Sequence, residues 1–62
     1  MKAKFISEHF INEKVDVYCG SVNSFKGKVL YCADNVLTLE SEDKTMTFIS
    51  IPKIIALWKA KE

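Results

Sequence analysis

The stretch that most constrains this chain is Phe25–Leu39, FKGKVLYCADNVLTL. In its first half Phe25, Gly27, Val29 and Tyr31 alternate with Lys26, Lys28, Leu30 and Cys32. That period of two assigns one set to each face of a strand. Asp34-Asn35 interrupts the run, and Val36-Leu37-Thr38-Leu39 resumes it. Aspartate and asparagine tolerate left-handed backbone and cap their own turns, so two strands joined by a tight turn are the economical reading. The remaining segments are short and must pack around this hairpin.

Sixty-two residues make a single domain, 1–62, near the lower limit for folding without a staple. Yet 48% of the residues are hydrophobic, and several strands carry apolar side chains on both faces. A chain this short has too much surface to hide two apolar faces alone, so association with copies of itself is expected. No apolar run approaches the roughly 18 residues of a membrane span, and no signal-peptide pattern opens the sequence. The expectation is a soluble, cytoplasmic protein. Cys19 and Cys32 are expected as free thiols. With a turn centred near Ser21–Asn23, Cys19 falls opposite Phe25 and Cys32 lies far along the ladder, beyond bridging distance.

Residues 3–13, AKFISEHFINE, read as an amphipathic helix, with Phe5, Ile6, Phe10 and Ile11 forming the apolar stripe and Asn12 as the stop. Strand one is Lys14–Cys19, with Val15, Val17 and Cys19 on one face. Strand two runs from about Ser24 to Cys32. Gly27 inside it implies a bend or a close approach of neighbouring backbone, as in a small sheet that curls into a barrel. Strand three is Val36–Glu40, followed by an acidic solvated turn at Ser41–Lys44. Strand four is Thr45–Ile51, with Met46 and Phe48 on one face and Ile49 and Ile51 on the other, and Pro52 ends it. Strand five is Lys53–Trp58, and Lys59–Glu62 reads as a frayed tail.

Strands four and five are expected at the edges of the sheet and are the ones without a polar face. Such edges invite pairing with another chain, and head-to-tail pairing closes into a ring. Phe48, Ile49, Ile51, Ile54, Ile55, Leu57 and Trp58 are the candidate oligomer interface.

The net charge is +1, from nine lysines and eight acids without arginine. The charge is segregated: residues 1–28 carry +2, residues 29–49 carry −3 and residues 50–62 carry +2. As a monomer this is no polycation, although a ring could gather its basic segments on one face. The single histidine, His9, has no evident partner. The sequence therefore offers no zinc-type ligand set, no nucleophile–base pair and no cofactor motif, and the reading is non-enzymatic.

Val15-x-Val17, Phe25-x-Gly27-x-Val29 and Asn35-Val36-Leu37-Thr38-Leu39 follow the first Sm motif in order and spacing. Phe48–Leu57, with Ile51-Pro52 and Ile54, stands where the shorter second motif lies. Over residues 4–58 the chain resembles the Sm-like superfamily, which includes the Sm and LSm proteins and the bacterial RNA chaperone Hfq. The resemblance implies a mainly β fold, with a short N-terminal helix (3–13) before a five-stranded, strongly bent antiparallel SH3-like/Sm-like barrel (14–58). It implies a homo-oligomeric ring, hexamer or heptamer, that binds single-stranded U- or A-rich RNA through the loops after strands two and four. Carried onto this sequence, those loops are Ala33-Asp34-Asn35 and Ile51-Pro52-Lys53. Asn35 matches the base-reading asparagine, Asp34 a displaced form of the aspartate that orients it, and Lys53 supplies charge.

The departures are specific. Neither loop carries an aromatic or arginine plane on which a base could stack. The arginine-glycine of the second Sm motif and Hfq's lysine-histidine pair are both missing. Asn35 is a base-reading amide or a turn residue, and Lys53 a phosphate contact or a solvated turn lysine. Lys26 and Lys28 are a basic stripe repeated around a ring or ordinary solubility charge. Trp58 is interface packing or a stacking platform. Two rival readings remain: a structural or protein-interaction module of the same fold without RNA binding, and an SH3-like monomer using Tyr18, Tyr31 and Trp58.

Overall fold

The computed structural model describes residues 1–61. The chain is mainly β, with a helix α1 (Ala3–His9) followed by five strands. These are β1 (Lys14–Tyr18), β2 (Phe25–Ala33), β3 (Val36–Glu40), β4 (Met46–Ser50) and β5 (Ala56–Lys59), with a 3-10 turn at Ile51–Lys53 between the last two. All five strands belong to one antiparallel sheet in the order β4-β3-β2-β1-β5. The β2–β3 hairpin is therefore at its centre, and β4 and β5 are the unclosed edges.

Every element except β5 contributes a buried residue to one core, and Leu57 of β5 packs against it half-buried. Ile6 comes from α1, Val15 and Val17 from β1, Val29 from β2, Leu37 and Leu39 from β3, Ile49 from β4, and Ile51 and Ile54 from the turn region. Seven of these are at most 2% exposed. At about 1.5–3 kcal/mol for a fully buried aliphatic side chain, this cluster is the main term holding so short a chain folded.

The helix is shorter than the sequence periodicity predicts. It ends at His9, and Asn12 takes a left-handed φ of 67° in the turn after it. The cause is tertiary. Asn12 N–H donates to the Val29 carbonyl at 2.8 Å and Val29 N–H donates to the Glu13 carbonyl at 2.9 Å, so residues 12 and 13 already belong to the β2 ladder. Asparagine tolerates the required φ better than most residues.

Three further expectations need correction. The alternation of β2 does not persist to Tyr31, because a bulge shifts the register between Val29 and Tyr31. The extra residue, Leu30, rotates the remainder of the strand. Tyr31 is 55% exposed, and Cys32 packs against the core instead. Cys19 also does not face Phe25. Val17 does, and Cys19 lies beyond the end of β1 in a longer loop that turns at Gly20 (φ 96°). Both cysteines are free and half-buried.

At the C-terminal end, Ile55 N–H donates to the Tyr18 carbonyl at 2.8 Å and Ala60 N–H to the Lys14 carbonyl at 2.9 Å. The β1–β5 ladder thus extends through Lys59 and Ala60, which are not a frayed tail; Glu62 lies outside the described residues. Gly27 is buried where β2 crosses β3. A Cβ there would lie 3.0 Å from the Leu39 Cβ and the Glu40 carbonyl oxygen. Close packing, rather than an unusual dihedral, explains the glycine.

Candidate nucleic-acid interface

Asp34 and Asn35 form the β2–β3 turn, with φ of 53° and 64° between the paired residues Ala33 and Val36. Two consecutive positive φ values are the signature of a two-residue I′ hairpin, and these residue types tolerate them. The turn is joined to the loop after β4. Ile51 N–H donates to the Asn35 carbonyl at 2.8 Å, and Ile54 N–H closes the 3-10 turn onto the Ile51 carbonyl at 3.0 Å. Ile51 is anchored in the core while Pro52 and Lys53 are exposed.

Asp34, Asn35 and Lys53, distant in sequence, therefore stand at one end of the sheet. Among the described residues the Asp34 and Asn35 side chains have no hydrogen-bond partner. Both can reach a ligand, and Asp34 does not hold the Asn35 amide in place.

Lys26 and Lys28 are not part of that end. They lie at the start of β2, and Lys28 is six residues, about 20 Å of extended strand, from Asp34. They line an open cleft of about 620 Å³ with Lys14, Lys44 and three glutamates, Glu13, Glu40 and Glu42. Lys14 pairs with Glu42 at 2.6 Å, and Lys59 pairs with Glu13 at 3.3 Å. Glu40 stands opposite Lys28 in the ladder, and Asp16 opposite Lys26. The Glu42 carboxyl is held below the usual carboxylate range, first by the hydrogen bond from Lys14, then by the charges of Lys14 and Lys26. Acids meet these lysines on every side, so the stripe is amphoteric.

The turn bordering the cleft is locally built. The Ser41 hydroxyl donates to Asp43 Oδ1 at 2.6 Å, and Thr45 N–H donates to the same oxygen at 3.1 Å. These bonds, led by the one from Ser41, bring the Asp43 carboxyl down to about 2. In the body of the fold, burial pushes the Cys32 thiol up, opposed by a hydrogen bond with Ser7 of α1.

The candidate interface residues divide into two groups. Ile49, Ile51 and Ile54 are 6%, 2% and 5% exposed and belong to this chain's own core. Phe48, Ile55 and Trp58 are 66%, 65% and 46% exposed, with Leu57 half-buried beside them. The exposed group lies on or next to the two sheet edges. His9 packs against the Phe5 ring at a centroid distance of 4.7 Å.

One cluster has no signature in the sequence. Leu37 and Leu39 point into the core, so Thr38 between them points outward, yet it is only 4% exposed. Its ladder partners are Tyr31 on one side and Phe48 on the other, so two large side chains flank it. The alternation of β2, read without the bulge, puts Tyr31 on the other face, and no local signal places it beside Thr38.

A family profile described as Domain of unknown function (DUF6897) matches residues 2–60. The chain belongs to that family. The DUF6897 match extends from just before α1 to the last bond of the β1–β5 ladder, so it covers the whole sheet and both joined loops. Comparisons with curated proteins and with solved structures found no match. No helix among the described residues is long and apolar enough to cross a membrane.

Proposed function

We propose that this DUF6897 chain is a non-enzymatic, cytoplasmic Sm-like subunit that joins six or seven copies of itself into a ring and binds single-stranded U- or A-rich RNA. The observation that carries this reading is the backbone hydrogen bond between the two loops, Ile51 N–H to the Asn35 carbonyl at 2.8 Å. It gathers an unpartnered amide and an exposed ammonium, on Asn35 and Lys53, at one end of each subunit. Repeated around an axis, contacts that are weak singly become one binding surface. The edges support the assembly. β4 and β5 are the edge strands, each paired on one side only, with Phe48 and Trp58 exposed on them and Ile55 exposed just before β5, and edge strands of that kind pair with another chain. The two free thiols suit a reducing compartment.

Binding of labelled oligo-U and oligo-A at low and moderate salt tests the RNA role. Salt-sensitive binding to either is expected, since lysines that neutralise phosphates release counterions. No binding to either oligomer at low salt refutes it.

The amphoteric cleft favours a second reading, a ring of the same fold that serves as a protein-interaction module. Lys26 and Lys28, the natural path for a phosphate backbone, are matched there by Glu40 and Glu42. Copurification from cells separates the two: nucleic-acid absorbance in the peak supports the first, a stoichiometric protein partner the second.

A further inference from the structure

Val29, Leu37 and Leu39 are in the core, so the β2 and β3 residues that alternate with them face outward. They form three rows: Lys28 opposite Glu40, Tyr31 opposite Thr38, and Ala33 opposite Val36. Each row joins unlike partners: a cation with an anion, a large ring with a short side chain, a small apolar group with a larger one. Thr38 is 4% exposed and lies between Tyr31 and Phe48, which are 55% and 66% exposed. The middle row therefore has a low point between two raised rings. Lys28 and Glu40, although opposite each other, form no ion pair among the described residues.

We infer that this outer face binds the same face of a second copy, about a twofold axis running parallel to the strands between β2 and β3. Such an axis lays β2 of each copy over β3 of the other, and each residue of a row meets the residue it opposes in its own chain. Lys28 then faces Glu40 of the second copy, and Glu40 faces its Lys28. Tyr31 of the second copy comes to lie over Thr38, and Ala33 over Val36. Tyr31 and Phe48 are two strand spacings apart, about 10 Å at the backbone. A ring seated over Thr38 is thus about 5 Å from each, within the range where aromatic pairs attract. The occupant is a copy of this chain because each row supplies both halves of the contact. The acid that weakens this face for a nucleic-acid strand, Glu40, is the one a second copy requires. Neither margin of the sheet is used, so the contact adds to edge pairing and rests on neither the ring nor the RNA reading. Three rows make a small patch, of the weak and concentration-dependent class.

Light-scattering mass of the chain is followed from micromolar to millimolar protein. The native mass should double across that series, whatever number of chains edge pairing holds together at its start. Lys28→Glu leaves two acids in the first row and Glu40→Lys two lysines, so each variant alone repels its own copy and should not double. An equimolar mixture of the two should double again, because the acids of one chain then face the lysines of the other. Mixing cannot relieve like charges within a chain, so recovery reports the contact between chains and guards against a variant that merely misfolds. Tyr31→Ala alters no charge and no core residue and should also abolish the doubling. A native mass that stays constant over the series overturns the contact. So do single charge variants that double as the native chain does, or a mixture that fails to double. A mass that starts at one chain and rises to two supports the contact and overturns the ring; a ring mass that never doubles overturns the contact and leaves the ring standing.

Discussion

The backbone N–H of Ile51 donates to the carbonyl of Asn35 at 2.8 Å, which ties the turn between β2 and β3 to the turn after β4. One partner is a core residue and the other an exposed turn residue. Packing of Ile51 therefore fixes where the Asn35 side chain can reach, although the two are 16 positions apart in sequence.

Because the bond uses main-chain atoms, the Asn35 side chain can be changed without cutting it. Asn35 has φ 64°, where a residue with an unassisted Cβ pays about 1–2 kcal/mol. Asn35→Ala should lower unfolding free energy by about 1 kcal/mol in urea titration, whereas Asn35→Gly should leave it nearly unchanged. If the amide reads a base, Asn35→Gly nonetheless weakens oligo-U or oligo-A binding. That contrast separates a turn role from a ligand role at a single position.

Gly27 faces a different constraint. The Cβ of an alanine would sit 3.0 Å from the Leu39 Cβ and from the Glu40 carbonyl oxygen, and backbone cannot step aside cheaply. Gly27→Ala should destabilise by about 1–3 kcal/mol, the usual cost of overpacking, seen as a lower urea midpoint with an unchanged m-value.

Asp43 gives the fold an acid-sensitive turn. Its carboxyl titrates at about 2 in the folded chain because Ser41 and Thr45 hydrogen-bond the ionised form, against about 3.9 when unfolded. A lowered folded pKa adds stability above the unfolded value and loses it as pH falls toward 2. Asp43→Asn should be less stable than the native chain at neutral pH, and the gap should close between about pH 4 and pH 2. Urea midpoints across that range check this; a gap that stays constant with pH contradicts it.

The central hairpin was legible because its signals are local. Asp34-Asn35 tolerates left-handed backbone wherever it occurs, and the observed φ values of 53° and 64° follow from that. The edge positions of β4 and β5 were also legible, from the two-sided apolar character of their residues. The bulge at Leu30 was not, because Leu30 and Tyr31 suit either face and only the pairing with β3 decides between them. The early end of α1 was hidden for a similar reason: the competitor for Asn12 is Val29, across the fold. In the candidate site, Asn35 and Lys53 could be named from sequence. Which isoleucines are core and which are margin could not, since Ile54 and Ile55 are adjacent and differ only in where the turn aims them (5% and 65% exposed).

The central claim is that the exposed margins of β4 and β5 are covered by neighbouring copies. Light scattering at micromolar concentration measures this directly. A ring predicts six or seven times the 7.1 kDa of one chain, with Phe48→Asp reducing it to a single chain. A native protein that already scatters as one 7.1 kDa chain contradicts the ring and the binding surface assembled from it.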